Sequence, residues 1–466
     1  MASRFHAVGA ADLVDVLPFK PVNLGQSGRE VFAHWHFFAI SMDNKPADVD
    51  YYATHFLDPA HPEGKTEGFG SALRERPLPR DPYQGSDWAV DDLVCDIRWA
   101  DAIGIDAFLY NIITIDRKSP FWKLFFDMLE AAGRVGGKFR VVPNLDAPLL
   151  LERPVAEVAA AIVSASGHPM LLRRETGQLV LGAFQPEAWP VERWNSLFAL
   201  LEREKIGIEF MPIFLNVRSA QDGHWSKSTT VGEWSGNFAD GVGYVAEAAA
   251  IVRRHGKKWC APVCPQDVRP KGGVFGEAAN SRLFRDGWMA AINGHADAVQ
   301  LITWNDYSES SAVRPSTLIQ YSFYDLAAFY IAWFKTGRAP PVTKDVLYYF
   351  HRVQPTDGAG LGMSQARPFA LQWGREPVND VELLAFLIAD GELQIEIGGE
   401  LHRLAAKAGV TSMRVPLAPG RPVFRLRRDD RTAIEFVSAD TIGDRAEFQD
   451  LVYRGGSSTR PAAAAP

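Results

Sequence analysis

Between about residue 30 and residue 306, eight short apolar runs alternate with longer amphipathic stretches, and that rhythm leaves the chain few folds to choose from. The runs are EVFAHWHFFAI from Glu30, IDAFLYNII from Ile105, FRVVPNLDA from Phe139, QLVLGAF from Gln178, IEFMPIFLNV from Ile208, a weak one from Glu233 to Phe238, WCAPVCP from Trp259 and VQLITWND from Val299. Helix-like segments fall between them at Asp91 to Ile103, Phe121 to Ala132, Val155 to Ser164, Val191 to Lys205, Tyr244 to Arg254 and Ala278 to Ile292. Runs apolar on successive positions cannot show either face to water, so they read as strands of a parallel sheet covered on both sides. Eight such units are expected to close into a (β/α)₈ barrel, with the active site at the C-terminal ends of the strands.

The 466 residues exceed a barrel of about 250, and the surplus has its own pattern. A polar stretch from Asp43 to about Trp88, with several Pro and Gly, reads as a long first βα loop that shapes a substrate cleft. After Arg314 comes an aromatic helical segment, Ile319 to Lys335. Beyond the break GRAPPVTKD, alternating strands such as ALQWG, VELLAFLI, LQIEIGG, SMRVPL, VFRLRR and AIEFVS read as a small antiparallel β-sandwich. The expected organisation is a barrel over 1–340, a sandwich over 341–455 and a disordered tail over 456–466, the last because GGSSTRPAAAAP is rich in small residues and Pro.

A net charge of −7 argues against a nucleic-acid partner, since phosphate binding relies on clustered Lys and Arg. No segment reaches membrane-spanning length, so no membrane partner is expected, and oligomeric state is not legible. Cys95, Cys260 and Cys264 match no common zinc or redox spacing and are expected as buried free thiols.

Polar residues that end the runs are the candidates for chemistry: His34 and His36, Asn111, Asn144 and Asp146, Asn216, and the group Asn305, Asp306 and Glu309. In LITWNDYSES, apolar residues lead directly into two carboxylates three positions apart. Cleavage of a glycosidic bond needs such a pair, one to protonate the leaving oxygen and one to act at the anomeric carbon directly or through water. Trp304 and Tyr307 offer ring faces for a pyranose, Asp146, His34, Asn111 and Asn305 offer partners for sugar hydroxyls, and Trp225 and Trp234 are candidate platforms near the sixth run. The same turn also reads as a plain helix cap, for which Asp is a good residue.

LITWNDYSES closely resembles the strand-eight signature TWNDYGES of glycoside hydrolase family 71, the α-1,3-glucanases. VFAHW at Val31, GIDAFLYNI at Gly104 and FRVVPNLDA at Phe139 resemble that family's first three strands, and AGVTSMRVPLAPGRPVFRLRR at Ala408 resembles its β-domain. The resemblance spans roughly Val31 to Tyr453. It implies an endo-acting, cofactor-free and metal-free hydrolase of an α-1,3-glucan that inverts the anomeric carbon, with Asp306 and Glu309 as acid and base in an order left open. Three departures stand out: Ser308 in place of Gly, Ser311 and Ala312 in place of His and Tyr, and no signal peptide in MASRFHAVGAADLVDVLPF. As read, the last predicts a cytoplasmic protein, although members of the family are usually secreted.

Three other readings stay open. The first is hydrolysis of another glycosidic linkage, and the second is a carbohydrate-binding barrel without turnover. The third is a metal-dependent amidohydrolase built on the H-x-H of His34 and His36, which lacks further ligands on the fourth to sixth runs.

Overall fold

The apolar runs do pair with one another. The computed structural model describes residues 14–20, 28–36, 44, 75–270, 272–356, 368–374, 376–444 and 449–460. Most of the expected first βα loop thus lies outside the described residues.

In chain order the strands of the first part are β1 (Glu30–Trp35), β2 (Ala107–Ile112), β3 (Arg140–Asp146), β4 (Leu179–Phe184), β5 (Ile208–Phe214), β6 (Thr230–Glu233), β7 (Lys258–Val263), a short hairpin of β8 (Asp267–Arg269) and β9 (Val274–Gly276), and β10 (Ala298–Leu301). All but β8 and β9 form a closed parallel barrel in the order β1-β10-β7-β6-β5-β4-β3-β2. The sixth strand lies just ahead of its expected position, ending at Glu233 where the sequence reading began it. Helices Trp88–Ala102, Pro120–Val135, Val155–Ser166, Val191–Arg203, Val242–Arg254, Arg282–Asn293 and Ser322–Thr336 surround the barrel.

Period-two alternation explains the doubly apolar runs. Phe32, Leu109, Val142, Val180, Met211, Ile213, Cys260 and Ala298 fill the interior, while their neighbours Val31, Ala33, Phe108, Val141, Leu181 and Ala261 face the helices. Cys260 and Cys264 are buried free thiols and Cys95 is half-buried.

Past the barrel, β11 (Val346–His351), β12 (Ala370–Trp373), β13 (Asp380–Leu387), β14 (Gly391–Ile397), β15 (Glu400–Ala406), β16 (Gly409–Pro416), β17 (Val423–Arg428), β18 (Arg431–Val437) and β19 (Arg454–Ser457) follow. Two antiparallel sheets, β16-β13-β11-β19 and β15-β14-β17-β18, enclose an apolar layer that includes Leu347, Leu383, Leu393, Phe424 and Leu426.

Two expectations are corrected. ALQWG is not a sandwich strand: β12 pairs in parallel with β9 and joins the hairpin above the barrel. Nor does disorder begin at 456, because Gly455 and Gly456 sit in β19, which pairs with β11. Side chains at these two positions would strike Ile319 and the Tyr349 ring, so glycine serves close packing there. Arg460 is buried and ion-paired to Asp325 at 3.0 Å. Residues 461–466 lie outside the described residues.

Candidate active site

Along β1, β2, β3 and β10, the inward positions change from apolar to polar toward the C-terminal end of the strand. Phe32 gives way to His34, Leu109 to Asn111, Val142 to Asn144 and Asp146, and Ala298 to Gln300. These side chains meet because alternate residues of neighbouring strands stack in one layer. Asn144 donates from Nδ2 to Asn111 Oδ1 at 3.1 Å, and Asn111 donates in turn to Asp146 Oδ2 at 3.1 Å. The other Asp146 oxygen accepts from the Leu149 N–H at 3.1 Å. Gly182 on β4 admits the Asn144 amide, since a Cβ there would stand 2.5 Å from Oδ1. Burial pushes the Asp146 carboxyl above the usual range, opposed by the Leu149 and Asn111 hydrogen bonds.

His34 lies deeper. Its Nε2 stands 2.8 Å from Gln300 Oε1, while Gln300 Nε2 donates to the Glu233 carbonyl at 3.1 Å. That chain assigns the proton to Nε2, and burial lowers the imidazole pKa to about 3, so His34 is a neutral donor at any working pH. The Trp234 ring packs edge-on against His34 at 4.7 Å and against Phe184 at 5.0 Å.

After β10 the backbone turns through 307–309 with Asp306 as its cap. Asp306 Oδ1 accepts from the Glu309 N–H at 3.1 Å and from Ser308 Oγ at 2.5 Å. Its Oδ2 stands 3.7 Å from His36 Nε2. Only 3% of Asp306 is exposed, behind His36, whereas Glu309 opens into the cleft with Oε2 3.3 Å from Arg269 Nη2.

The turn corrects three expectations. Trp304 is fully buried on the helix side, packed against Phe108 and Tyr324, so its ring meets no ligand. Tyr307 is likewise buried and donates its hydroxyl to the Pro315 carbonyl. Asn305 accepts from the His36 N–H at 2.7 Å and donates to the His36 carbonyl at 3.2 Å, which pins the chain just after β1; it is fully buried and does not line the cleft. Alternation reverses at a turn, and the sequence does not show where. Trp225 stacks on His255 and Asn216 caps the Arg218 N–H, and neither lines the cleft.

The cleft holds about 870 Å³. His34, His36, Asn111, Asp146, Trp234 and Glu309, all marked in the sequence, line it together. Arg269, Asn237, Asp240, Tyr244, Gln372 and Trp373 line it too and were missed. Arg269 carried a usable signal, being a charged residue soon after the seventh run. Trp373 carried none, because it arrives on β12 from beyond the barrel. His34 on β1 and His36 just after it face Gln300 and Asp306 rather than a common point, and among the described residues no group of three or more His, Cys, Asp or Glu could hold a metal ion. The donor set of an amidohydrolase is thus not assembled by the described residues.

Comparison with known proteins adds the lineage. The profile described as glycosyl hydrolase family 71 matches residues 83–452. A mutanase of Penicillium rubens is 23% identical over 376 residues, covering 75% of this chain and 80% of the relative. A glucan endo-1,3-alpha-glucosidase of Schizosaccharomyces pombe is 22% identical over 407 residues, covering 80% and 91%. Among solved structures, a GH99 endo-alpha-mannosidase from Bacteroides thetaiotaomicron superposes with a TM-score of 0.52 at 14% identity, covering 66% of this chain and 98% of that one, a likeness of fold alone.

Proposed function

The chain belongs to glycosyl hydrolase family 71, and on that premise we propose that it hydrolyses α-1,3-glucosidic bonds of an oligo- or polysaccharide, with Asp306 and Glu309 as its carboxylate pair. One observation carries the reading: Glu309 lines an 870 Å³ cleft from the turn after the last barrel strand, with Asp306 on the same turn. Around them stand groups suited to a neutral, hydroxyl-rich ligand: neutral His34, the Asn111 amide, Asp146 and the Trp234 ring. In an inverting reaction one carboxyl protonates the leaving oxygen while the other takes a proton from the attacking water.

The burial of Asp306 favours a second assignment within the same reaction. Asp146 lines the cleft and burial raises its pKa, as a proton donor requires, so it could supply the acid while Asp306 fixes His36.

The test is sugar release from α-1,3-glucan beside α-1,4- and β-1,3-glucans, with product anomers followed by NMR. Release from α-1,3-glucan with the β-anomer formed first, abolished by Glu309→Gln, is the expected result. Release only from another glucan would reassign the linkage. Binding without release from any would leave a carbohydrate-binding barrel.

A further inference from the structure

A permanently charged guanidinium in the wall of a cleft for neutral sugars needs a reason, and Arg269 has no partner role in the reaction as written above. It stands at the end of β8, on the hairpin after β7. Its Nε donates to Asp267 Oδ1 at 2.6 Å and its Nη2 to Oδ2 at 2.7 Å, a two-point contact with a buried carboxylate. Asp267 Oδ2 also accepts from Asn237 Nδ2 at 3.0 Å. The guanidinium lies 5.1 Å from the centre of the Trp373 ring. Asp267 and the Trp373 ring therefore hold the fork before any ligand arrives, and its Nη2 also stands 3.3 Å from Glu309 Oε2. Burial works against the charge on Arg269, but Asp267, Glu309 and Asp306 more than offset it and leave its pKa above the usual value.

We propose that Arg269 is the positioning residue for Glu309, pairing with that carboxylate and aiming it into the cleft, so that Glu309 is the base of the pair and another carboxyl is the proton donor. The proposal rests on the reading of Glu309 as a catalytic group and decides what that reading left open. A carboxylate beside a fixed cation resists protonation, by about 1–3 pKa units in comparable pairs, and is poorly suited to arrive protonated at a leaving oxygen. As base it takes one proton from water while the water oxygen bonds to the anomeric carbon. The bond from that carbon to the leaving oxygen breaks in the same step, and the donor carboxyl gives the leaving oxygen its proton. Among the described residues, the charged groups near Glu309 include Arg269, itself bound to Asp267 on the hairpin, and Asp306 on its own turn, with His36 beside Asp306. Arg269 Nη2 stands within ion-pair distance of the Glu309 carboxylate, at 3.3 Å. Because Trp373 belongs to β12, the chain beyond the barrel reaches the chemistry through this contact.

The experiment is the pH profile of kcat and KM on α-1,3-glucan for the full chain, for Arg269→Met and Arg269→Lys, and for Glu309→Gln, with thermal melts to verify folding. Arg269→Met is expected to lower kcat by about 10²-fold with little change in KM. Its acidic limb should move upward by about 1 pH unit or more, and Arg269→Lys should restore much of the limb. An unmoved limb in Arg269→Met, with the loss confined to KM, would make Arg269 a sugar contact and overturn the positioning role while the hydrolase reading stands. Retained activity in Glu309→Gln would instead remove the base itself, and with it the reading beneath the proposal.

Discussion

The two ends of the barrel hold similar charged residues and use them in opposite ways. At the end where the strands begin, Arg174 lies between Glu30 and Glu209, each at 2.7 Å, and Lys335 meets Asp106 at 2.7 Å. Asp106 accepts from the Val31 N–H as well, so its charge also closes the backbone of β1. At the other end Asp146 receives an amide and a backbone N–H in place of a guanidinium, His34 is kept neutral, and both face a cleft. Charges that answer one another stabilise a fold, whereas groups held in a costly state and aimed at open space await a ligand. The contrast is the physical content of the rule that barrels react at one end and are stabilised at the other.

The largest effect that could break this contrast belongs to Asp306→Asn. Asn caps a helical turn about as well as Asp, so the melting temperature should stay close to wild type while kcat falls by roughly 10²–10⁴-fold. A loss below about tenfold there, with a loss of that size in Asp146→Asn, would transfer the proton donor to Asp146.

Asp146→Asn has a second signature. A carboxyl whose pKa is raised by folding stabilises the protein at low pH, and that contribution is lost as pH rises from the ordinary carboxylate range through the raised value. The amide cannot ionise, so the variant should gain stability relative to wild type between pH 4 and pH 7 while activity drops about tenfold. Melts at the two pH values check it, and equal shifts at both would mean that Asp146 is not held in a costly state.

The smallest effect is at the opposite end. Arg174→Met should cost about 1–2 kcal/mol of stability, reduced from a buried-pair value because Arg174 and Glu30 are partly exposed, and should leave turnover untouched. Denaturant titration beside a turnover assay measures both, and a loss of activity at unchanged stability would erase the distinction between the two ends.

Much of the architecture was legible because its cause is local. Val, Ile and Phe on both alternating faces fit only strands covered on both sides, and eight of them in series imply closure. His34, Asn111 and Asp146 were legible for a related reason: each keeps its strand's alternation, so its side chain follows inward from Phe32, Leu109 and Val142. Trp304, Asn305 and Tyr307 were misplaced because that alternation ends at the turn they occupy. The first residues of the tail, 456–460, were misread because small residues suit disorder and tight packing alike, and at Gly456 it is the Tyr349 ring that distinguishes the two.

The sequence by itself determined the barrel, the antiparallel region beyond it and the acidic turn at the end of the last barrel strand, since those depend on periodicity and on residues adjacent in the chain. Tertiary structure alone decided that Glu309 opens into the cleft while Asp306 is covered, and that Arg269 and Trp373, about a hundred positions apart, stand together beside it. The physical reason is that side-chain direction at a turn and the pairing of β9 with β12 are set by the packing of distant segments, which no local pattern records.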